Sequence, residues 1–320
     1  MQASAPVLSR RHALALGAAG FAFGLKPARA ADYQRSWTFG DVTVSRVVEM
    51  SAPYPADKAF PGAALEAFDE NPWLVPHFYD PKVKGVIFTY QAWIVRTPKM
   101  VLLMDGGFGE AMPKERPGMT AESFLDNLKA AKVAPDQVNY AMNSHFHSDH
   151  IGWNTRRDGD KRVPMWGKAR YLFDRTEVEF FAKAAAAGQP MGASFNVSIK
   201  PVIDAGVADL IDGDRDLGDG VRILALPGHT PGHHGVAIDS KGKRAVLCGD
   251  LFHSPIEIVH PEWDVVFDYD KNEGRKARNK FLDQYTDVDV TIFAAHFGGP
   301  TAGKIVSEKG GKRVFKTLVP

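Results

Sequence analysis

The sequence places three histidines and an aspartate within six residues, a density that points to metal chemistry. The run occupies residues 144–150 and reads SHFHSDH. Imidazole and carboxylate groups are the ligands that zinc and similar divalent metals prefer, and without a metal each buried group would need its own hydrogen-bond partner. His145 and His147 can point to one side of the loop, and Asp149 and His150 to the other. We therefore predict that one loop serves two metal ions.

Further candidate ligands follow later apolar runs. His229 lies in the PGHTPGH stretch at residues 227–233, Asp250 follows a glycine, and His296 lies in an AHF triplet. Each comes just after a short apolar run, and neighbouring glycine or proline residues favour close approach of the backbone. Active-site residues collect at strand ends in α/β folds. We therefore expect these side chains to meet the 144–150 run at one site.

The elements that must position these residues read as a mixture of strands and helices. Helices are predicted after a cap at Thr120, after a capping box formed by Asp174 and Glu177, and around residues 277–285. No internal repeat or linker divides the chain, so residues 31–320 are predicted to form a single α/β domain. Apolar runs predict strands at 37–39, 42–48, 86–95, 100–104, 138–142, 221–226, 245–247 and 290–294, and a final hairpin at 304–318.

A segment rich in proline and aromatic residues, 51–85, follows the first strands. Its six prolines exclude a continuous helix or central strand. Such a segment is typical of a lid or binding loop, although its aromatic residues between Phe60 and Tyr79 could equally pack onto the core or seal a homodimer. Trp153, directly after the metal loop, is expected at the mouth of the site or in ordinary packing. These aromatics favour an apolar small-molecule substrate.

The first thirty residues carry the features of an export signal. Arg10 and Arg11 precede an apolar run at 13–25, and an Ala-x-Ala cleavage site ends at Ala30. The apolar run is shorter than the roughly 20 residues of a membrane-spanning helix. The paired arginines resemble a twin-arginine signal, while export by the Sec route stays open. We expect a periplasmic or secreted bacterial protein with no stable membrane insertion.

Composition excludes several other classes of protein. The 320 residues include 39 Lys+Arg and 38 Asp+Glu, so the basic excess by which nucleic-acid binders contact phosphate is missing and no nucleic-acid partner is expected. Cys248 is the single cysteine, which excludes an internal disulfide, a cysteine-rich zinc module and an iron–sulfur cluster. Although Cys248 lies two residues before Asp250, we interpret it as a small buried hydrophobe.

In combination, these motifs resemble the metallo-β-lactamase superfamily. The resemblance covers residues 86–320 and implies an αββα four-layer sandwich with a binuclear metal centre between the two sheets. Asp105 matches an early strand-end aspartate of the family and is expected to orient a ligand loop. The ligands implied by the resemblance are His145, His147 and His229 for the first metal, Asp149, His150 and His296 for the second, and Asp250 as the bridge.

Within this superfamily the pattern is similar to N-acyl homoserine lactone lactonases and to organophosphate hydrolases of the methyl parathion hydrolase type. GDLFH at 249–253, and FDYD at 267–270 followed by Arg275 and Arg278, resemble the latter. The chain ends in a predicted hairpin and not in the helical extension that glyoxalase II uses for glutathione. Many lactonases place a tyrosine three residues after the bridging aspartate. His253 stands there in this chain and either donates the same hydrogen bond or caps a local helix.

The chemistry implied is hydrolysis with two Zn²⁺ ions, in which a metal-bridging hydroxide attacks a lactone or carboxylic ester. Asp149 is the candidate that shuttles a proton to the leaving group, and His253 is the second catalytic candidate. A phosphotriester is the alternative substrate for the same site. An iron-dependent persulfide-type oxygenase is the alternative of another class, and it would contain iron and consume oxygen. Ligand types alone leave zinc, manganese, cobalt and iron open.

Overall fold

The computed structural model describes residues 35–111 and 119–318. These residues form two β-sheets stacked face to face, a separate two-stranded ribbon, and helices on the outer faces of both sheets. The predicted export signal, residues 1–30, lies outside the described residues. Within the described ranges, no helix combines the length and the apolar character that crossing a membrane requires.

The N-terminal part of the chain builds the first sheet and the ribbon. Its strands are β1 (Ser36–Phe39), β2 (Val42–Pro55), β3 (Tyr79–Asp80), β4 (Gly85–Arg96), β5 (Val101–Met104), β6 (Thr120–Ala121), β7 (Tyr140–Met142), β8 (Thr155–Asp158), β9 (Lys161–Pro164), β10 (Arg170–Asp174) and β11 (Ala208–Ile211). The ribbon is β8–β9, and the sheet runs β1-β2-β4-β5-β7-β10-β11, with β3 on β4 and β6 on β2. The predicted hairpin of residues 37–48 is confirmed by the antiparallel pairing of β1 with β2.

The second sheet follows the order of the chain. Its strands are β12 (Arg215–Gly218), β13 (Val221–Ala225), β14 (His234–Ser240), β15 (Lys243–Leu247), β16 (Thr291–Phe293), β17 (Ala302–Ser307) and β18 (Arg313–Thr317). Neighbouring strands are antiparallel except β15 and β16, which pair in parallel and are joined through a long helical connection. The pairing of β17 with β18 confirms the predicted final hairpin.

Helices flank both sheets. They are α1 (Ala56–Ala59), α2 (Phe124–Ala130), α3 (Ser148–Ile151), α4 (Arg175–Ala186), α5 (Gly192–Ser198), α6 (Lys200–Asp204), α7 (Ile256–Val259) and α8 (Lys271–Tyr285). The prediction that Thr120 caps a helix was wrong. Thr120 pairs with Ser51 in the sheet, and the side chain of Ser123 caps α2 by accepting from the Asp126 N–H.

Three apolar clusters separate the layers. Side chains of both sheets meet in a central core that includes Trp93, Leu102, Val236 and Phe293. A second cluster joins the first sheet to α2, α4, α5 and α6, and a third joins the second sheet to α7 and α8. The αββα four-layer sandwich is therefore confirmed, and each sheet has both faces covered, as its long apolar runs require.

The aromatic segment of residues 60–79 packs against the outside of the second sheet. Phe60 and Phe68 lie against Trp263, and Phe68 stacks on Tyr79 with ring centroids 4.4 Å apart. All four of these rings are buried or nearly so. Of the three interpretations left open by the sequence, packing onto the core describes this segment, and burial of these rings stabilises the outer layer.

Candidate metal centre

Two loops from different sheets bring three imidazoles together. His145 and His147 follow β7, and His229 follows β13. The Nε2 atom of His145 lies 2.9 Å from Nδ1 of His147, and Nε2 of His229 lies 3.2 and 3.0 Å from these two atoms. A tetrahedral zinc ion with Zn–N bonds of 2.0–2.1 Å separates its ligand nitrogens by about 3.3 Å. The three nitrogens therefore converge at the spacing that a shared ion requires.

Hydrogen bonds on the far side of two rings decide which nitrogen faces inward. The Nδ1–H of His229 donates to Oδ1 of Asp268 at 3.0 Å, and the Nδ1–H of His296 donates to the carbonyl of Thr89 at 3.2 Å. Because Nδ1 carries the proton in each ring, Nε2 presents a lone pair to the centre. A metal-binding histidine is held by this kind of outer hydrogen bond.

A second group forms on the other side of the centre. Asp149 and His150 lie on α3, and His296 follows β16. Oδ2 of Asp149 lies 3.4 Å from Nε2 of His150 and 3.5 Å from Nε2 of His296. One nitrogen or oxygen from each residue could reach one ion. The structure thus brings six of the seven predicted ligands into two adjoining groups.

Asp250 lies between these two groups. Its Oδ1 atom is buried and has no hydrogen-bond partner among the described residues, which is unusual for a carboxylate oxygen and suits a metal ligand. The donor set of imidazoles and carboxylates also fits a divalent metal. Distances from Oδ2 of Asp250 to imidazole nitrogens are 3.0 Å to His296, 3.3 Å to His150, 3.4 Å to His253, 3.7 Å to His229 and 3.8 Å to His145.

Burial and charge set different protonation states on the two sides. Burial lowers the pKa of His147 to about 4 and holds the pKa values of His145 and His229 well below the usual range. Burial also opposes a charge on His150, but nearby carboxylates, Asp250 first, outweigh it and raise the pKa of His150 well above the usual range. The three-histidine group is therefore neutral at pH 7, whereas His150 is protonated against its carboxylates before a metal binds.

Asp105 supports the 144–150 loop from the end of β5, where the sequence placed it. Its Oδ1 accepts from the Ser144 N–H at 2.7 Å, and its Oδ2 lies 3.0 Å from Nδ1 of His150. Its backbone adopts a left-handed conformation with φ of +68°, which aspartate tolerates better than most residues. The carboxylate therefore orients both the loop backbone and one imidazole.

His233 positions the backbone of Asp250, a role that the sequence analysis missed. Its Nδ1–H donates to the Leu226 carbonyl at 2.9 Å, and its Nε2 accepts from the Asp250 N–H at 3.0 Å. Gly249 has φ of +56°, and a Cβ there would lie 2.5 Å from Nε2 of His233, so only glycine fits this turn. The sequence signal that could have revealed this role is the second histidine of the PGHTPGH stretch, which is His233.

Trp153 does not lie at the mouth of the site. Its Nε1–H donates to Oε1 of Glu49 at 2.9 Å, and its ring stacks on Phe124 at 5.7 Å. Ordinary packing is therefore the correct interpretation. Glu49, which the sequence analysis also missed, accepts from the N–H groups of Phe108 and Gly109 and so holds a loop that borders the pocket.

Cys248 lies in the apolar cluster outside the second sheet and is fully buried. Burial raises the pKa of its thiol, so the thiolate that would bind metal is disfavoured. The interpretation as a small buried hydrophobe agrees with this position.

His253 forms part of the pocket wall beside Asp250. Its ring lies parallel to that of His296, with centroids 5.6 Å apart. The carboxylate of Glu257 accepts from the backbone N–H groups of His253 and Ser254 at 2.6 and 2.7 Å. Glu257 therefore caps the local turn, and the imidazole of His253 is left facing the centre.

A pocket of about 650 Å³ opens onto the metal centre. No lysine or arginine lines it among the residues that the structure describes, and the aromatic segment of residues 60–79 contributes nothing to its wall. The apolar wall comes from β4, the loops after β5 and β7, α4, the residues before α5 and the loop after α7. Its members outside the predicted ligands are chiefly Phe88, Tyr90, Phe108, Phe146, Phe181, Met191, Val266 and Phe267.

Fold and site together define an α/β sandwich with a histidine–carboxylate centre at the strand ends of both sheets. Residues 88–296 match the sequence pattern of the metallo-β-lactamase superfamily. The chain belongs to this superfamily, as its motifs indicated.

Several curated relatives are hydrolases. An N-acyl homoserine lactonase of Bacillus thuringiensis is 30% identical over 148 residues, which cover 45% of this chain and 50% of that protein. A probable metallo-hydrolase of Mycobacterium tuberculosis is 31% identical over 248 residues, covering 66% of this chain and 76% of that protein. The chain spans about half the length of the lactonases that it matches.

Solved structures share the fold. A hydrolase of the beta-lactamase superfamily has a TM-score of 0.75 at 24% identity, and a dizinc quorum-quenching lactonase, solved with a product bound, has a TM-score of 0.74 at 22% identity. Both likenesses cover 89% of this chain and 97% of the other chain. They agree with the four-layer architecture over nearly the whole described structure.

Proposed function

We propose that this protein is a binuclear zinc-dependent hydrolase of lactones or carboxylic esters. The observation that carries the proposal is the position of Asp250, whose Oδ2 lies within 3.8 Å of imidazole nitrogens from both groups. One carboxylate between two such groups suits a pair of divalent metals. Under this proposal the three-histidine group would hold one ion, the group of Asp149, His150 and His296 would hold the other, and Asp250, which lies between the groups, would be a ligand shared by both.

The relatives support zinc as the metal and a lactone as the substrate. The lactonase of Bacillus thuringiensis is described as acting on N-acyl homoserine lactones, and the structural neighbour is described as a dizinc lactonase. The neutral imidazoles on one side and the carboxylates on the other suit zinc. Bound zinc would lower the pKa of a water molecule toward neutrality and polarise the carbonyl of the substrate.

The residues of the chain supply the proton transfers and the orientation. Burial disfavours a charge on Asp149, but the imidazoles of His150 and His296 outweigh it and hold the pKa of Asp149 well below its usual range. In the reaction the carboxylate of Asp149 would accept a proton from the attacking water and then pass it to the leaving oxygen. His253, in the pocket wall, donates a hydrogen bond to the substrate oxygen on which charge develops.

The pocket favours a neutral substrate with an apolar arm. Its wall is largely aromatic, and among the described residues no lysine or arginine lines it. Burial of an acyl chain or an aryl group against this wall would contribute about 0.8 kcal/mol for each CH₂. Esters and lactones with apolar substituents are therefore the first substrates to test.

Metal content and activity should be measured together on residues 31–320. We expect about two zinc ions per chain, hydrolysis of an acyl lactone or an aryl ester, loss of hydrolysis on chelation, and its return with zinc. If a phosphotriester is hydrolysed faster than the lactone and the aryl ester, the alternative substrate class, phosphotriesters, is favoured over esters. One iron per chain with oxygen consumption and no hydrolysis would overturn the reaction class in favour of an oxygenase.

Replacing His253 with alanine tests its catalytic role. We expect kcat to fall by about 10²-fold with metal content unchanged, because loss of one donor to a developing oxyanion costs about 10²–10³-fold. The partly exposed His260, replaced in the same way, is the matched control and should leave kcat unchanged. Loss of a metal ion from the His253→Ala variant would instead make His253 a ligand, a result that would contradict the donor role.

Metal binding should release protons at pH 7. The pKa of His150 lies well above its usual value in the metal-free protein, so His150 carries a proton at pH 7 that it must lose to become a ligand. The affinity for metal should therefore rise with pH, by about tenfold per pH unit for each proton released. Titration calorimetry in two buffers of different ionisation enthalpy measures how many protons are released when zinc binds. Zero net release would contradict the assignment of His150 as a ligand.

Export of the protein is part of the same proposal and rests on residues 1–30. A bacterial host expressing the full chain should place the activity in its periplasmic fraction. Replacing Arg10 and Arg11 with lysine should retain the protein in the cytoplasm if the twin-arginine route is used. Export that is unaffected by this change would indicate the Sec route.

A further inference from the structure

One buried carboxylate joins the two loops that carry the three-histidine group. Glu177 lies in the first turn of α4 and is 1% exposed. Its Oε1 accepts from the N–H of Phe146 at 2.9 Å, and its Oε2 accepts from the N–H of Gly232 at 2.9 Å. Each oxygen therefore holds the backbone of a different loop.

The two loops follow strands of different sheets, and one direct backbone hydrogen bond joins them, from the His234 N–H to the Ser144 carbonyl at 2.8 Å. Phe146 lies between His145 and His147 on the loop after β7, in the first sheet. Gly232 lies three residues after His229 on the loop after β13, in the second sheet. Nitrogens from the two loops must nevertheless approach to 3.0–3.2 Å. A link that contacts both backbones beside the ligands is suited to maintain this approach.

The contact at Gly232 is too close to admit another residue. A Cβ at this position would lie 2.2 Å from Oδ1 of Asp174 and 2.6 Å from the backbone nitrogen of Glu177. Asp174 in turn accepts from the Glu177 N–H at 2.9 Å as the cap of α4. The first turn of α4 therefore lies directly against the His229 loop. From this turn the Glu177 side chain also contacts the His145–His147 loop.

The sequence predicted that Asp174 and Glu177 form a capping box, and half of this prediction was wrong. Asp174 does cap the helix, but both carboxylate oxygens of Glu177 are directed at the ligand loops. Burial raises the pKa of Glu177 to about 7, although the two backbone N–H donors favour its charged form. Above pH 7 the side chain is a carboxylate able to accept from both loops.

We propose that Glu177 is a positioning residue that sets the distance between the His145–His147 loop and the His229 loop and so preorganises the first metal site. The inference rests on the proposed binuclear centre. An outer residue that orients metal ligands typically changes metal affinity by about 10–100-fold. Glu177 touches neither substrate nor metal and acts through the two backbones.

The test compares Glu177→Gln with Glu179→Gln at pH 8. Glu179 lies on the same helix but is exposed, so the control removes the same charge from the same element. Glutamine keeps one acceptor and turns an NH₂ group toward the other backbone N–H, so one loop is released. We expect the Glu177→Gln variant to bind its first zinc about 10–100-fold more weakly in chelator competition, and to show an altered absorption spectrum with cobalt. The control should match the wild type in both.

A second readout does not depend on bound metal. Hydrogen exchange of metal-free protein should be faster in Glu177→Gln over residues 143–150 and 227–234, while exchange in the central strands stays at the wild-type rate. If this variant fails to fold, Glu177→Asp keeps the charge but reaches only one loop, and the same differences are expected. Wild-type zinc affinity and exchange in a folded variant would overturn the proposal. Absence of metal binding by the wild type would instead overturn the binuclear centre itself.

Discussion

If the proposed binuclear hydrolase is correct, the Asp250→Asn variant is expected to lose at least one of two metal ions and nearly all hydrolytic activity. Oδ2 of Asp250 lies within 3.8 Å of imidazole nitrogens in both groups, so the substitution affects both ions at once. Loss of an outer residue costs about 10–100-fold in affinity or activity. Loss of the shared ligand should therefore lower kcat/KM by more than about 1,000-fold.

Metal analysis and steady-state kinetics on the same preparation check this expectation. Asp239→Asn is the matched control, because Asp239 is exposed on β14 of the same sheet, and it should retain two ions and wild-type kinetics. An Asp250→Asn protein that keeps two ions and activity within tenfold of wild type would exclude a bridging role for Asp250.

The Arg278→Ala variant should show the largest loss of stability among single changes around the site. Arg278 is buried on α8 and donates to Oδ2 of Asp268 at 2.9 Å and to the carbonyl of Trp263 at 3.0 Å. Its guanidinium also lies 3.8 Å from the buried carboxylate of Glu257. Removing one partner of a buried ion pair leaves an uncompensated charge and costs about 3–5 kcal/mol.

The same change should also weaken the metal site. The Nδ1–H of His229 donates to Asp268, so a displaced Asp268 would no longer direct Nε2 of His229 at the centre. Urea unfolding measures the stability, and zinc competition measures the site. A loss below about 1 kcal/mol would show that Asp268 and Glu257 are stabilised by other means.

Arg275→Ala is the control for this experiment. Arg275 lies one turn earlier on α8 and pairs with Asp264, with both side chains 31% exposed. Exposed pairs contribute about 0–1 kcal/mol because water and salt screen them. The contrast between two arginines on one helix therefore isolates the effect of burial.

Local motifs were enough to predict which side chains meet at the candidate centre. The 144–150 run contains four candidate ligands within six residues, and a short loop after a strand holds such residues near one another whatever surrounds it. Asp250 and His296 were predicted in the same way, each just after an apolar run that became β15 or β16. Apolar runs predict strands because burial between layers requires them, and this signal is carried by neighbouring residues.

Residues that make long-range contacts were harder to predict. The sequence assigned Glu177 to its own helix and left Trp153 between the mouth of the site and ordinary packing, because their partners lie far away in the chain. It also assigned a candidate binding role to the aromatic segment of residues 60–79, which in fact covers the second sheet. The packing of the layers decides which distant residue a side chain contacts. The spacing of nearby residues in the sequence carries no information about that contact.

The sequence by itself therefore determined the superfamily, the four-layer fold and the residues of the candidate centre, because all of these depend on short motifs and on runs of apolar residues. The tertiary structure decided how the centre is supported and what lines its pocket. Asp268, His233 and Glu177 act on ligands that follow other strands, and the pocket wall combines β4, α4 and the loop after α7. These contacts arise only when the two sheets stack, since stacking sets the distances between loops that are remote in the chain.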